Sequence, residues 1–264
     1  MIVLIATLDN LNIEEQIKTM NLYNIETIIV NQSSLKKESN RVERVHNTTI
    51  LHSDRIGLSA SRNDAISLAP NDSICQIADD DMIFVDNYAA IVDEAYKAHP
   101  DADMIVFYLH REDSLARKGK LPSGKIGYLR ALNVSSGQIT FKKSSLEKNG
   151  IKFDERFGIG AKYGFGEENI LLFDCLRKHL NIYSYPVEIA HELHRESHWD
   201  RTNNKEQCRK RGAIYRRMSP KLFWLFILQY AVRKRNIMPE DISIFKNIKY
   251  IKYMYEGVRE FNKE

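Results

Sequence analysis

Over the first 110 residues, unbroken apolar runs alternate with helically spaced ones, and few folds accept that rhythm. "MIVLIAT", "ETIIVNQS", "TTILHS", "SICQIAD" and "ADMIVFYL" are continuous apolar segments closed by polar residues, the pattern of parallel strands buried on both faces. Between them, "NIEEQIKTMNLY" spaces Ile13, Ile17 and Met20 as a helix does. "GLSASRNDAISLA" opens on a glycine and a serine N-cap, and "NYAAIVDEAYKAH" is again helical. The alternation predicts an α/β fold, Rossmann-like, with a mostly parallel central sheet and flanking helices.

After Leu109 the rhythm fails. "HREDSLARKGKLPSGKIGY" reads as a long polar loop or excursion. Strand-and-turn character returns in "SGQITFKKSSLEKNGIKFDERFG", followed by a glycine-led helix, "GFGEENILLFDCLRKHL", and a strand, "NIYSYPVEIAHE". Residues 1–200 accordingly divide into a half at 1–110 and a half at 111–200, with a basic helical extension over 201–264.

Charge supports that last boundary. Up to Asp200 there are 23 Lys and Arg against 29 Asp and Glu; from Arg201 onward there are 16 against 6. An acidic body with a basic end points to an anionic partner, nucleic acid or a membrane surface. The body's acidity and the lack of any recognisable binding module argue against nucleic acid. In "KLFWLFILQYAVRKRN" the unbroken apolar run, Leu222 to Leu228, is far short of the roughly 20 residues that span a bilayer. Its aromatic residues and basic ends suit a membrane interface or a buried helix. Three unpaired, widely spaced cysteines argue for a reducing compartment and against zinc. "MIVLIATLDN" reads as a first strand rather than a signal peptide. A cytoplasmic protein, peripheral at the inner face of the plasma membrane, is the expectation.

Asp79, Asp80 and Asp81 leave the sheet together at the end of "SICQIAD". A solvated acidic turn is the plain alternative. Yet ligands of open α/β sheets bind outside the carboxyl ends of the strands. Like charges gathered there are costly unless a cation compensates them. A hard ion such as Mn²⁺ or Mg²⁺ suits such oxygens and shares them with phosphates. Asp79-x-Asp81 in an irregular turn lets two side chains reach one ion.

Three segments in this order resemble a glycosyltransferase of family 2 with a GT-A fold: "GLSASRNDAI" at 57–66, "IADDDMIF" at 77–84 and "FDERFGIGAKYGFGEENILLF" at 153–173. The middle segment is similar to the family's DxD motif. The last resembles its acceptor-side stretch with the acidic pair, here Glu167-Glu168. The resemblance covers roughly residues 1–200 and is nearest to bacterial enzymes of capsule, O-antigen or exopolysaccharide synthesis. It implies an inverting hexosyl- or N-acetylhexosaminyltransferase that uses a nucleotide-diphosphate sugar, UDP-sugar favoured, and a saccharide or polyprenyl-linked acceptor.

The same resemblance assigns candidate roles. Thr7, Asp9, Asn31, Gln32, Arg62, Asn63, Asp79 and Asp80 fall on the nucleotide-sugar side. Asp81, Asp79, His194 and His191 are the metal candidates, Asp81 foremost. Glu168, with Glu167 beside it, is the base that would take the acceptor proton. Tyr163, Phe165 and Gly166 are acceptor-side candidates. The family usually has aspartate at the second acidic position, so the choice between Glu167 and Glu168 stays open. Alternatives are a sugar-nucleotide nucleotidyltransferase, which should carry a glycine-rich phosphate loop that "ATLDNLNIEE" lacks, and a non-catalytic nucleotide-sugar- or nucleic-acid-binding protein. The sequence leaves self-association open.

Overall fold

Two strands near the N-terminus are buried along nearly their whole length, with Leu8 at the end of the first exposed, and the rest of the sheet grows from them. The computed structural model describes residues 1–34, 41–111, 121–193, 204–234 and 244–264. They form two units: residues 1–155 with 167–196, and residues 156–166 with 197–264.

The first unit is a three-layer α/β body. Strands β1 (Ile2–Leu8), β2 (Thr27–Gln32), β4 (Thr48–Ser53) and β5 (Ile74–Ala78) lie parallel in the order β4-β2-β1-β5. Every residue of β2 is buried, which explains its lack of apolar–polar alternation. Helices α1 (Ile13–Thr19), α2 (Leu58–Leu68) and α3 (Tyr88–Ala98) follow β1, β4 and the short β6 (Met82–Phe84). Asn12 caps α1 by accepting from the Glu15 amide at 3.3 Å.

Beyond β5 the sheet continues through β9 (Ile139–Lys142), β7 (Met104–Arg111), β10 (Ile182–Glu192) and β6. β9 runs antiparallel to both neighbours, and β10 runs parallel to β7. Hence β1, β2, β4, β5, β7 and β10, six strands of ten, share one direction. β3 (Arg41–Val45) and β8 (Gly124–Lys125) complete the sheet, antiparallel to β4 and β10. The β7–β10 ladder shifts register between Ser184 and Ala190. Pro186 falls within that stretch, and a proline cannot donate to a ladder. Short helices α4 (Tyr128–Ala131) and α5 (Lys143–Lys148) precede α6 (Glu167–Arg177). One core runs through Val3, Ile5, Ile29, Phe84, Tyr88, Ile105 and Phe107.

The second unit is helical: α7 (Lys205–Met218), α8 (Phe223–Lys234) and α9 (Ile244–Phe261), with the segment 156–166. Cys208, Ile227, Tyr230, Met254 and Val258 form its core. At Gly212 and Gly257, helices α7 and α9 touch backbone to backbone. A Cβ on Gly212 would sit 1.9 Å from the Met254 carbonyl oxygen, and one on Gly257 1.9 Å from that of Arg209. In 156–166, Phe157 stacks on Tyr163 at 4.8 Å, and both rings meet Phe261. No described helix is long and apolar enough to cross a membrane.

Candidate functional site

Parallel strands β2, β1 and β5 end side by side, and their last residues are the ones the sequence singles out. Thr7 is paired in register with Asn31, and Ile5 with Ala78. Thr7 Oγ1 donates to Asp80 Oδ2 at 3.3 Å, so the ends of β1 and β5 are tied by side chains. Asp9 takes a positive φ of 49° and accepts from the Ser34 amide at 3.0 Å. Hydrogen bonds to Ser34 hold its carboxyl below the usual range.

Asn31 and Gln32 are buried and committed to the backbone. Asn31 accepts from the Asn10 amide at 3.1 Å and donates to the Asn10 carbonyl at 2.7 Å. Gln32 Oε1 accepts from the Gly57 amide at 2.7 Å. Gly57, at φ 136°, precedes α2, so Gln32 fixes where that helix starts. Asn63 braces the chain beyond α5: it accepts from the Phe153 amide at 2.9 Å and donates to the Phe153 carbonyl at 3.0 Å.

Arg62 is the centre of the arrangement. Its side chain is 3% exposed, and its two terminal nitrogens diverge. Nη2 donates to Asp79 Oδ1 at 2.9 Å and Nη1 to Glu167 Oε1 at 2.8 Å, while the guanidinium lies 5.5 Å from the centre of the Phe153 ring. Asp79 also accepts from Ser136 Oγ at 3.0 Å through its other oxygen. Helix α6 begins at Glu167 and Glu168, whose negative charges favour a helix N-terminus. Glu167 is buried; Glu168 reaches the surface in part, but its Oε2 is covered and has no protein partner. Burial and the neighbouring Glu167 push the Glu168 carboxyl up to about 8.

Asp81 Oδ1 is likewise buried without a protein partner. Burial, then the charges of Glu192, Asp79 and Asp80, push its carboxyl up to about 6. Its backbone carbonyl accepts from the Leu193 amide at 2.8 Å, and β6 pairs His191 with Ile83 and Glu192 with Met82. The acidic turn is thus sewn to the end of β10, where His191 stands. His194 lies outside the described residues. Among the described residues, no three His, Cys, Asp or Glu groups converge as a metal cage.

Tyr163, Phe165 and Gly166 belong to the second unit. Tyr163 is buried and donates its hydroxyl to Glu264 at 2.7 Å. Phe165 lies 5.2 Å beneath the Arg211 guanidinium, and Gly166 leaves room for Ile214, whose atoms a Cβ would meet at 3.0 Å. Sequence reasoning passed over Ser136, Phe153 and Glu192. Phe153 had a signal as the first residue of the 153–173 segment, and Glu192 as an acid inside the histidine-rich "IAHELH"; Ser136 had none.

No protein-family model and no curated protein matches the sequence. Solved structures do. The crystal structure of S. aureus TarS 1–349 aligns with a TM-score of 0.58 at 12% identity, over 82% of this chain and 65% of that one. Another TarS crystal structure gives 0.59 at 12% identity, over 81% and 38%. The chain spans less than two thirds of either TarS chain. At that identity the likeness is one of fold alone: a mixed α/β body with a mostly parallel sheet, flanking helices and a helical C-terminal region.

Proposed function

We propose that the chain is a metal-dependent, inverting glycosyltransferase of family 2 that moves a sugar from a nucleotide diphosphate, UDP by preference, to a hydroxyl of a saccharide or polyprenyl-linked saccharide in surface polysaccharide synthesis. The observation that carries the reading is the chain Asp79–Arg62–Glu167, buried at Arg62 and Glu167, with Glu168 beside it, at the carboxyl edge of a sheet whose fold matches that of TarS. A structural ion pair alone would not need a second, unpartnered carboxylate pushed toward neutrality.

Glu168 is the base. Its covered Oε2 takes the proton of the acceptor hydroxyl while that oxygen bonds to the anomeric carbon and the bond to the diphosphate oxygen breaks. Arg62 Nη1 already occupies Glu167 Oε1, which makes Glu168, free of the guanidinium, the group placed to take the proton. Thr7, Asp9 and Asp80 face the ribose and donor sugar. Asn31 and Gln32 act through the backbone they hold, shaping the base end of the pocket.

The residues fit a hard divalent ion. Asp81 has an uncommitted buried oxygen amid the charges of Glu192, Asp79 and Asp80. Mg²⁺ uses only one or two carboxylates beside waters and substrate phosphates, so a cage of three protein groups is not required. Asp81 would hold it, with His191 or His194 as the further ligand; Asp79 is already occupied by Arg62 and Ser136. When bound, Mn²⁺ or Mg²⁺ neutralises the departing diphosphate. Release of nucleotide from a panel of UDP- and other nucleotide sugars tests the reading. Metal-dependent release from one donor, abolished by EDTA and in Asp81→Asn, is expected. Absence of both release and nucleotide binding in calorimetric titration with Mn²⁺ would overturn it.

A further inference from the structure

Helix α8 is apolar on the side it shows to solvent. From Phe223 to Val232 it carries no charge. Phe223, Ile227, Tyr230 and Ala231 face the core of the helical unit. On the opposite arc, Trp224 is 45% exposed, Leu225 42%, Leu228 52% and Val232 63%, with Gln229 the one polar residue between them. A helix apolar all round is ordinarily buried on all sides. Here four large side chains form one exposed row, and Leu222 extends it at the N-terminal end.

Charge decides what covers the row. Lys221 stands at its start, and the sequence Arg233-Lys234-Arg235 follows its end. Arg216 lies 5.8 Å from the Phe223 ring, and Tyr255 of α9 packs edge-on against Phe223 at 5.9 Å. Tyr255 is itself exposed, on a face of α9 shared with Ile248, Lys252 and Arg259. Lys221 at the head of the row and Lys252 and Arg259 on α9 are exposed basic groups, and the sequence from Arg201 carries 16 Lys and Arg against 6 Asp and Glu. A second copy laid on the same face would bring like charges together. An anionic lipid surface would not: headgroups meet the lysines and arginines, Trp224 sits at the interfacial level where indole is favoured, and the leucines enter the acyl boundary.

We propose that the exposed face of α8, centred on Trp224, Leu225, Leu228 and Val232, docks the protein in the plane of an anionic membrane. The surface is independent of the glycosyltransferase assignment, and its test needs no donor or acceptor. Flotation of the full chain with phosphatidylglycerol vesicles and with phosphatidylcholine vesicles reads binding, and Trp224 fluorescence in Trp199→Phe reads its depth. Binding to the anionic vesicles alone is expected, with a blue-shifted emission quenched by brominated acyl chains. Leu225→Ser with Leu228→Ser should weaken it by roughly tenfold or more while leaving the circular dichroism unchanged. Raised salt should weaken it further. Equal binding by the double variant, or no flotation with either vesicle, overturns the proposal. So does a concentration-dependent dimer in light scattering that the same double variant abolishes, which would give the face to a second copy.

Discussion

Arg62 and Glu167 stand 105 residues apart in the chain and 2.8 Å apart in the fold, each with a side chain only 3% exposed. Two charges so enclosed are tolerable only as partners. Removing one leaves the other buried and uncompensated, which costs about 3–5 kcal/mol. Arg62→Ala should therefore lower the denaturation midpoint sharply, strand Glu167 and abolish transfer. An Arg62→Ala protein that melts like the parent would mean that the pair carries no weight.

As the proposed base, Glu168 should set the pH dependence. A base must be ionised to accept a proton, and burial beside Glu167 has pushed this one up to about 8. The expected kcat/KM rises with pH through an acid limb near that value. Glu167→Gln removes the neighbouring negative charge and should move the limb to lower pH. Glu168→Gln should remove turnover while donor binding persists. A limb that ignores the charge at 167 would assign the base elsewhere.

The same carboxyl makes stability depend on pH. Between the ordinary value of 4.5 and about 8, the folded chain keeps a proton that the unfolded chain has lost. Stability accordingly falls as pH rises through that window and levels off above it. Glu168→Gln should flatten this slope and melt higher than the parent at pH 8, as followed by thermal denaturation across pH.

Asp81 behaves alike over a lower window, from 3.8 to about 6, because burial and its acidic neighbours disfavour its charge. At neutral pH the ionised group destabilises the fold. Asp81→Asn should raise the melting temperature without metal, and Mn²⁺ with UDP should stabilise the parent but not the variant. Equal stabilisation of both proteins would move the ion to other ligands.

Alanine at an exposed helical glycine usually gains about 1 kcal/mol. At Gly212 and Gly257 the sign should reverse, because the new methyl would meet a carbonyl oxygen of the facing helix at 1.9 Å. Either substitution should cost about 1–3 kcal/mol, seen as an earlier melt of the helical unit. Gly150 supplies the control at positive φ, 63°, with open space around a Cβ: its loss there would come from backbone strain alone.

The parallel core was legible because strands buried on both faces leave continuous apolar runs, as in β1, β2 and β5. β3 was not: Arg41, Glu43 and Arg44 make it an edge strand that is mostly exposed, without an apolar run to betray it. β6 has three residues and owes its form to its partner β10. In the site, the acidic groups and Arg62 could be picked from the sequence because their chemistry is local to a motif. Their wiring could not. That Asn31 and Gln32 would spend their amides on Asn10 and Gly57, that Ser136 would take Asp79, and that Tyr163 would bury its ring against Phe157 all depend on contacts between distant segments. The split of the chain follows suit: 156–166 joins the helices that begin at Lys205, a pairing no composition shift announces.

That pairing imposes an order of events during synthesis. Phe157 and Tyr163 emerge about a hundred residues before Phe261 and Glu264, the partners that cover the rings and receive the hydroxyl. At ribosomal speeds of roughly 5–20 residues per second, the aromatic pair waits on the order of 5–20 s for its counterpart. During that interval the two rings lack the side chains that later cover them, and a chain terminated early would keep them uncovered.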